Sequence, residues 1–435
     1  MPLKIKSTKK AAAKAKQVHN LFATHDDRPR FTGKRIVIMN RDARRSSILK
    51  LSKNASLKIA SINDFSTDKD NFQEAFSQAD GIYFDTFKIA VINKGNEEQV
   101  KFMHDASAGT TDSFSSEPER FVYALARTQP IAASKDSPLV KLRNSSHFTW
   151  GTQAIKLPAS KFTGKGVNVA VLDTGLSLSH PDFARLVINS KSFIKNQRVE
   201  DKNGHGTHCC GISVGAINKK SQQRYGVAMD ANLFVGKVLS NAGSGNDSGI
   251  LAGIEWALQN KCKVISMSLG AEVEPGETFS PAYERVAKTA IKNGCLIIAA
   301  AGNESERRFG VIKPVGHPAN CPSVMAVAAI DINLKVADFS CGGLNPDGGQ
   351  VDIAAPGVNI YSSWKGRAHN TISGTSMATP FVAGIAALFW EANPNAKAAD
   401  IWMMLMQNAL RLNINSSDVG QGLYNVNRYF FVTYA

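Results

Sequence analysis

Four short segments of this 435-residue chain carry residue types that could perform acyl transfer. In Ile372-Ser373-Gly374-Thr375-Ser376-Met377-Ala378-Thr379-Pro380, Ser376 stands among small residues ahead of the apolar run Phe381 to Leu388. That run is apolar on nearly all sides and predicts a buried helix. A serine in its first turn sits where unpaired backbone N–H groups and the positive dipole end converge, a place suited to an anion forming beside it. Serine ahead of a helix is commonly a plain cap, and this segment alone leaves both readings open. Asp173 closes Val171-Leu172-Asp173-Thr174-Gly175, where an apolar strand empties into a glycine turn. It is either a partly buried carboxylate or a turn-forming residue. His205, in Asn203-Gly204-His205-Gly206-Thr207-His208-Cys209-Cys210-Gly211, lies between glycines at a helix start, open to close approach. Its spacing from His208 suggests a metal, but no third ligand stands nearby. Asn303, in Ala299-Ala300-Ala301-Gly302-Asn303-Glu304, lies just past a strand end, where its amide could donate to a developing oxyanion. Together the four supply nucleophile, base, orienter and oxyanion donor.

The elements that must position them begin near Thr149. Val167–Leu172, Leu233–Val238, Val264–Ser268 and Leu296–Ala300 are near-continuous apolar runs, as expected for parallel strands covered on both faces. Val324–Ala328 and Val351–Ala354 add strands, and His205–Val214, Gly249–Gln259 and Pro281–Lys292 read as helices. The alternation predicts a doubly wound, mainly parallel α/β domain over 149–435, with ligands at the carboxyl ends of its strands. Ahead of it, Arg35–Met39, Leu57–Ile62 and Ile82–Ile92 read as strands, and Ala43–Leu51 and Asn71–Gln78 as helices. Residues 32–93 are therefore expected to form a small α/β domain of about 60 residues, near the lower size for independent stability. Residues 94–148 read as polar linker around one strand candidate, Phe121–Leu125, and residues 1–31 as a basic flexible tail.

The formal net charge of +15 concentrates at the front, where residues 1–58 carry ten Lys and six Arg against three Asp. With no aromatic side chains among the first lysines, a solvated extension is favoured over contact with nucleic acid or membrane. No apolar run approaches the roughly 20 residues that span a bilayer, and no signal-peptide core stands near the start, so a cytoplasmic location is expected. The six cysteines lack paired metal spacing and read as buried free thiols of a reducing compartment.

With these motifs in order, the chain resembles the subtilisin-like serine peptidases over about residues 149–428. The matching segments are Val-Leu-Asp-Thr-Gly at 171–175, His-Gly-Thr-His at 205–208, Ala-Ala-Gly-Asn at 300–303 and Gly-Thr-Ser-Met-Ala-Thr-Pro at 374–380. The Asp, His, Ser order is that of subtilisin itself. The resemblance implies a serine endopeptidase in which Ser376 attacks the peptide carbonyl, His205 carries the proton, Asp173 fixes the imidazole, and Asn303 with the Ser376 N–H holds the oxyanion. It implies a cleft edged by Gly243-Ser244-Gly245 and Ser268-Leu269-Gly270, between which a protein or peptide substrate lies as an added strand. Gly316 would floor the pocket for the residue before the cut, leaving room for a large apolar side chain. Read alone, these are loop glycines.

Residues 32–93 resemble a subtilase propeptide in their βα alternation, which implies an intramolecular inhibitor released by a cut in the connector at 128–147. Asp182, in His180-Pro181-Asp182, matches a calcium ligand of many subtilases. The loop Asn218 to Arg224 that would complete the site is basic, however, and calcium wants oxygen ligands, so no metal or other cofactor is expected. The rival reading is a binding protein, an idle scaffold of this fold tethered through its basic tail. The intact Asp173, His205, Asn303 and Ser376 argue against it.

Overall fold

The computed structural model describes residues 28–65, 72–93, 96–126, 142–218 and 220–424. The basic tail falls almost wholly outside the described residues, as does the connector over 127–141.

The N-terminal part runs Phe31–Met39 (β1), Arg45–Asn54 (α1), Ile59–Ser61 (β2), Phe72–Ser77 (α2), Gly81–Phe84 (β3), Ile89–Ile92 (β4), Glu97–Ser107 (α3) and Phe114–Ala124 (β5). Its strands lie in the order β5-β1-β4-β3-β2. Period-two alternation splits the sheet's side chains between two cores. Val37, Met39, Tyr83 and Ile92 share one with Ile48 of α1 and with Val100 and Met103 of α3. Ile36, Ile38, Phe84, Ile89 and Val91 face the other way and merge into the main core of the protein. One face of this small sheet is thus buried only because the large domain covers it.

The linker reading of 94–118 is corrected here, since 97–107 is helical and 114–124 is one strand. The helix starts with Glu97 and Glu98 at the positive dipole end but buries only Val100, Met103 and Ser107, so its apolar stripe is thin. The strand is polar because its partners are distant in sequence, β1 on one edge and the large domain on the other.

The large domain adds Trp150–Ala154 (α4), Asn168–Asp173 (β6), Ile188–Ser192 (β7), His205–Val214 (α5), Asn232–Lys237 (β8), Ser244–Asn246 (β9), Asp247–Gln259 (α6), Val264–Met267 (β10), Leu269–Gly270 (β11), Pro281–Lys292 (α7), Leu296–Ala300 (β12), Met325–Ile330 (β13), Ile353–Pro356 (β14), Ile360–Trp364 (β15), Ala368–Ile372 (β16), Thr375–Ala392 (α8), Ala398–Gln407 (α9), Ala409–Leu410 (β17) and Leu423–Tyr424 (β18). The main sheet has the order β17-β18-β14-β13-β12-β10-β6-β8-β7 and is parallel apart from the β17–β18 pair. It is the doubly wound, mainly parallel architecture the apolar runs predict. The chain leaves β6 toward β8 on one side and β10 on the other, so the order reverses at β6, where such folds open a crevice at the carboxyl ends. Helix α8 passes through the core with all but its last two residues buried. Among the described residues, no helix is long and apolar enough to cross a membrane.

Candidate active site

Asp173 is the last residue of β6 and is wholly buried. His205 opens α5, whose N-cap Gly204 has φ 107°, a conformation open to glycine at little cost. The two side chains meet, with His205 Nδ1 2.8 Å from Asp173 Oδ1 and 3.0 Å from Oδ2. Burial alone would hold the imidazole neutral, but the Asp173 charge and hydrogen bond outweigh it and raise the His205 pKa above its ordinary value. His205 Nε2 is buried and has no hydrogen-bond partner among the described residues.

Ser376 lies in the first turn of α8. Its Oγ donates to the Ser268 carbonyl at 2.9 Å rather than to His205. Pro380, four residues on, has no N–H to give the Ser376 carbonyl, which accepts instead from Ser268 Oγ at 2.8 Å and Cys209 Sγ at 3.6 Å. The missing helix bond is thereby replaced by ties to the end of β10 and to the helix carrying His205. Asn303, beyond β12, accepts from the Thr375 N–H and Oγ1 through its Oδ1, both at 2.9 Å. That turns its amide nitrogen toward Gly374, where an added Cβ would lie 3.1 Å from Asn303 Nδ2.

The same added Cβ would lie only 2.5 Å from the carbonyl oxygen of Leu125. Strand β5 reaches the site by running antiparallel between β9 and β11, with Val122 opposite Gly245 and Tyr123 opposite both Ser244 and Gly270. Ala124 stands opposite Leu269 and donates to the Gly243 carbonyl at 2.9 Å, while Leu125 donates to the Ser268 carbonyl at 3.5 Å. The Leu125 side chain is buried beside Gly270, where an added Cβ would come within 3.1 Å of its Cδ1. A Cβ on Gly245 would meet the Val238 carbonyl at 2.4 Å, so that edge must be glycine. Gly316 donates to the Ala301 carbonyl at 2.8 Å and packs on the Ala271 backbone, one residue past Gly270. All eleven residues singled out from the sequence therefore gather around the ends of β6, β10 and β12.

A family model of the subtilase family matches residues 164–423. Subtilisin E of Bacillus subtilis (strain 168) is 37% identical over 345 residues, covering 78% of this chain and 84% of its own. The chain belongs to the subtilase family. It is a serine-type endopeptidase, and its substrates are proteins or peptides. The alkaline protease of Alkalihalobacillus alcalophilus is 35% identical over 359 residues, 82% of this chain and 88% of its own. Among solved structures, sphericase aligns with a TM-score of 0.56 and 33% identity, covering 64% of this chain and 97% of its own.

Around Asp173 and His205 this subtilase carries further buried polar contacts that the sequence does not announce. Asp201 Oδ1 accepts from Thr174 Oγ1 at 3.0 Å and from the N–H groups of Asn203 and Gly204, each at 2.9 Å. Its Oδ2 accepts from the N–H and Oγ1 of Thr207 at 2.9 and 2.7 Å. One carboxylate thus ties the turn after Asp173 to the first turn of the His205 helix. Lys237, also fully buried, donates to the Thr174 carbonyl and to Asn241 Oδ1 at 3.0 Å. In the sequence Asp201 looks like a loop residue, and its position ahead of Asn203-Gly204 was the only signal.

Proposed function

We propose that this subtilase hydrolyses peptide bonds through Asp173, His205 and Ser376, with Asn303 as oxyanion donor, and that it favours a large apolar residue before the cut. The observation that carries the reading is the course of β5, which presents the Leu125 carbonyl beside Gly374 and the Asn303 amide and turns the Leu125 N–H to the Ser268 carbonyl that also accepts from Ser376 Oγ. For attack, Ser376 Oγ exchanges its bond to the Ser268 carbonyl for one to His205 Nε2. As Oγ bonds to the carbonyl carbon, its proton passes to Nε2, and Asp173 stabilises the imidazolium. The carbonyl oxygen takes the negative charge and is held by Asn303 Nδ2 and the Ser376 N–H. The C–N bond then breaks and the imidazolium gives its proton to the leaving amine. Water repeats the sequence on the acyl-enzyme, returning the Ser376 hydroxyl and releasing the new carboxylate.

We infer further that residues 31–125 act as an intramolecular inhibitor and that the first bond cut is Leu125–Ala126, ahead of the connector that composition suggested. The alignment of β5 with both cleft edges supports this, as does the sheet face that relies on the large domain for its cover. The buried Leu125 side chain beside Gly270 supports the apolar preference. Six free cysteines, all buried, fit a reducing compartment. The test is Ser376→Ala, which should keep the circular dichroism of the wild type, lose hydrolysis and organophosphate labelling, and stay full length while the wild type yields a fragment beginning at Ala126. Hydrolysis surviving in the variant would remove Ser376 as nucleophile, and a wild-type fragment beginning within 128–147 would remove Leu125 as the residue before the first cut.

A further inference from the structure

Asp182, the residue matching a family calcium ligand, lies in the turn Pro181–Phe183 and is 1% exposed. Its carboxylate already has protein partners. Oδ2 accepts from Tyr225 Oη at 2.7 Å and pairs with His369 Nε2 at 2.8 Å. Its backbone is engaged too, since its carbonyl accepts from the Ala216 N–H at 3.1 Å and its N–H donates to His180 Nδ1 at 3.2 Å. The opposite nitrogen of His180 is bound to the Ala368 carbonyl at 2.9 Å, so that ring is fixed at both ends.

The loop that would complete a calcium shell is turned to other uses. Asn218 Oδ1 accepts from the N–H groups of Lys220 and Ser221 at 2.8 and 3.1 Å, and its Nδ2 donates to Tyr361 Oη at 2.7 Å. Arg224 sends its guanidinium to the Gly226 and Val227 carbonyls at 3.2 and 2.7 Å. Tyr361 stacks on His369 with centroids 5.2 Å apart and planes 7° off parallel, while Tyr225 meets both rings edge-on at 5.8 Å. Calcium takes six to eight oxygens at roughly 2.3–2.6 Å. Among the described residues, the side chains of this cluster offer one carboxylate, two imidazoles, two tyrosine hydroxyls and an amide oxygen bound to its own loop. The donor set does not fit calcium. His180, Asp182 and His369 do bring ligand atoms within 4.8 Å of one another, as a nitrogen-preferring dication requires. The two nitrogens concerned, His180 Nδ1 and His369 Nε2, are however both engaged with Asp182.

We propose that Tyr225, Asp182 and His369 form a metal-free clasp, in which hydrogen bonds and ring stacking take the place of a cation in pinning the Ala216–Tyr225 loop to the Pro181–Phe183 turn and to β15–β16. The contact between this loop and the turn then needs no divalent cation to hold it. The test is thermal unfolding of full-length Ser376→Ala protein, which cannot digest itself, in excess EGTA, in CaCl2 and in ZnCl2. The midpoint should move by less than about 1 °C among the three, whereas a cation bound at a hundredfold excess over its Kd would move it by several degrees. Tyr225→Phe, which keeps the ring and removes one bond to a buried carboxylate, should lower the midpoint by roughly 2–5 °C. His369→Gln should lower it as well, and calcium should restore neither variant. A midpoint that falls in EGTA and recovers with calcium would overturn the clasp in favour of a cation. A rise in ZnCl2 that His369→Gln abolishes would overturn it in favour of a nitrogen-ligand metal site. An unchanged midpoint in Tyr225→Phe would show that the cluster holds nothing.

Discussion

Raising the pH should loosen the grip of the N-terminal domain on the protease. Two carboxyl groups at their interface are held far above the ordinary carboxylate range. Glu117 of β5 accepts from Ser280 Oγ at 2.5 Å and the Ala282 N–H at 3.3 Å, at the start of α7. Burial is the first cause that raises its pKa to about 7, and neighbouring Asp247 adds to it, against the lowering influence of those hydrogen bonds and of Arg120. Glu255 of α6, 1% exposed, accepts from Thr86 Oγ1 at 2.5 Å, and its Oε2 has no partner among the described residues. Burial again comes first in raising it to about 7, with Asp85 adding to the rise and the bonds from Thr86 opposing it. Asp85 lies 3.6 Å from Arg45, and Arg120 is paired with Glu277 at 2.9 Å, so the nearby cations have other partners.

In an undocked segment both groups return to the ordinary carboxylate value of about 4.3. Between that value and about 7 the docked form therefore holds more protons than the undocked one. Docking is strongest below the window, weakens through it by up to about 1.4 kcal/mol per pH unit per group, and levels off above it. From pH 5 to pH 8 that amounts to roughly 2.5 kcal/mol for Glu255, and less for Glu117, which solvent partly screens. The assay is hydrogen exchange of the Phe121–Ala124 amides in Ser376→Ala, reported as protection factors so that the intrinsic pH dependence of exchange cancels. Protection should fall by between two and four powers of ten across that range, taking about 1.4 kcal/mol per tenfold. Glu117→Gln with Glu255→Gln should flatten the profile and keep the amides protected at pH 8. A pH-independent protection factor in Ser376→Ala, or an unaltered slope in the double variant, would refute the reasoning.

Asn303→Ala should lower kcat by about 10²–10³ with little change in KM, a range that comes from subtilisin itself, because the donor acts on charge that develops after binding. A rise in KM at constant kcat would make Asn303 a substrate-binding residue instead. Cys209 Sγ lies 3.9 Å from His205 Nδ1, and burial first, then the Asp173 charge, holds its thiol well above the ordinary range, so it is no nucleophile. A mercurial that reaches it should displace the imidazole and inhibit, while Cys209→Ala should be active and resistant. Equal inhibition of both proteins would send the effect to another thiol.

What the sequence discloses about this subtilase, and what it hides, divides along the range of the interactions involved. Strands β6, β10 and β12 are readable because a strand buried on both faces must be apolar throughout, whatever its neighbours are. Asp173, His205, Asn303 and Ser376 are readable because the roles proposed for them demand those residue types beside strand or helix ends, often with glycine close by. Strand β5 is hidden by the opposite condition. Glu117 and Glu119 read as linker because the groups that bury them, Ser280 and the Ser248 N–H, lie 163 and 129 residues away. Asp201 is hidden in the same way, since its Thr174 partner is 27 residues upstream. The Asp182 clasp draws on Tyr225 and His369, which are 43 and 187 residues further along the chain. Polar residues buried by distant partners leave no periodic trace, so these contacts come into view only with the fold. They are also the contacts that seat β5 against the large domain and tie Tyr225 and His369 to the Asp182 turn.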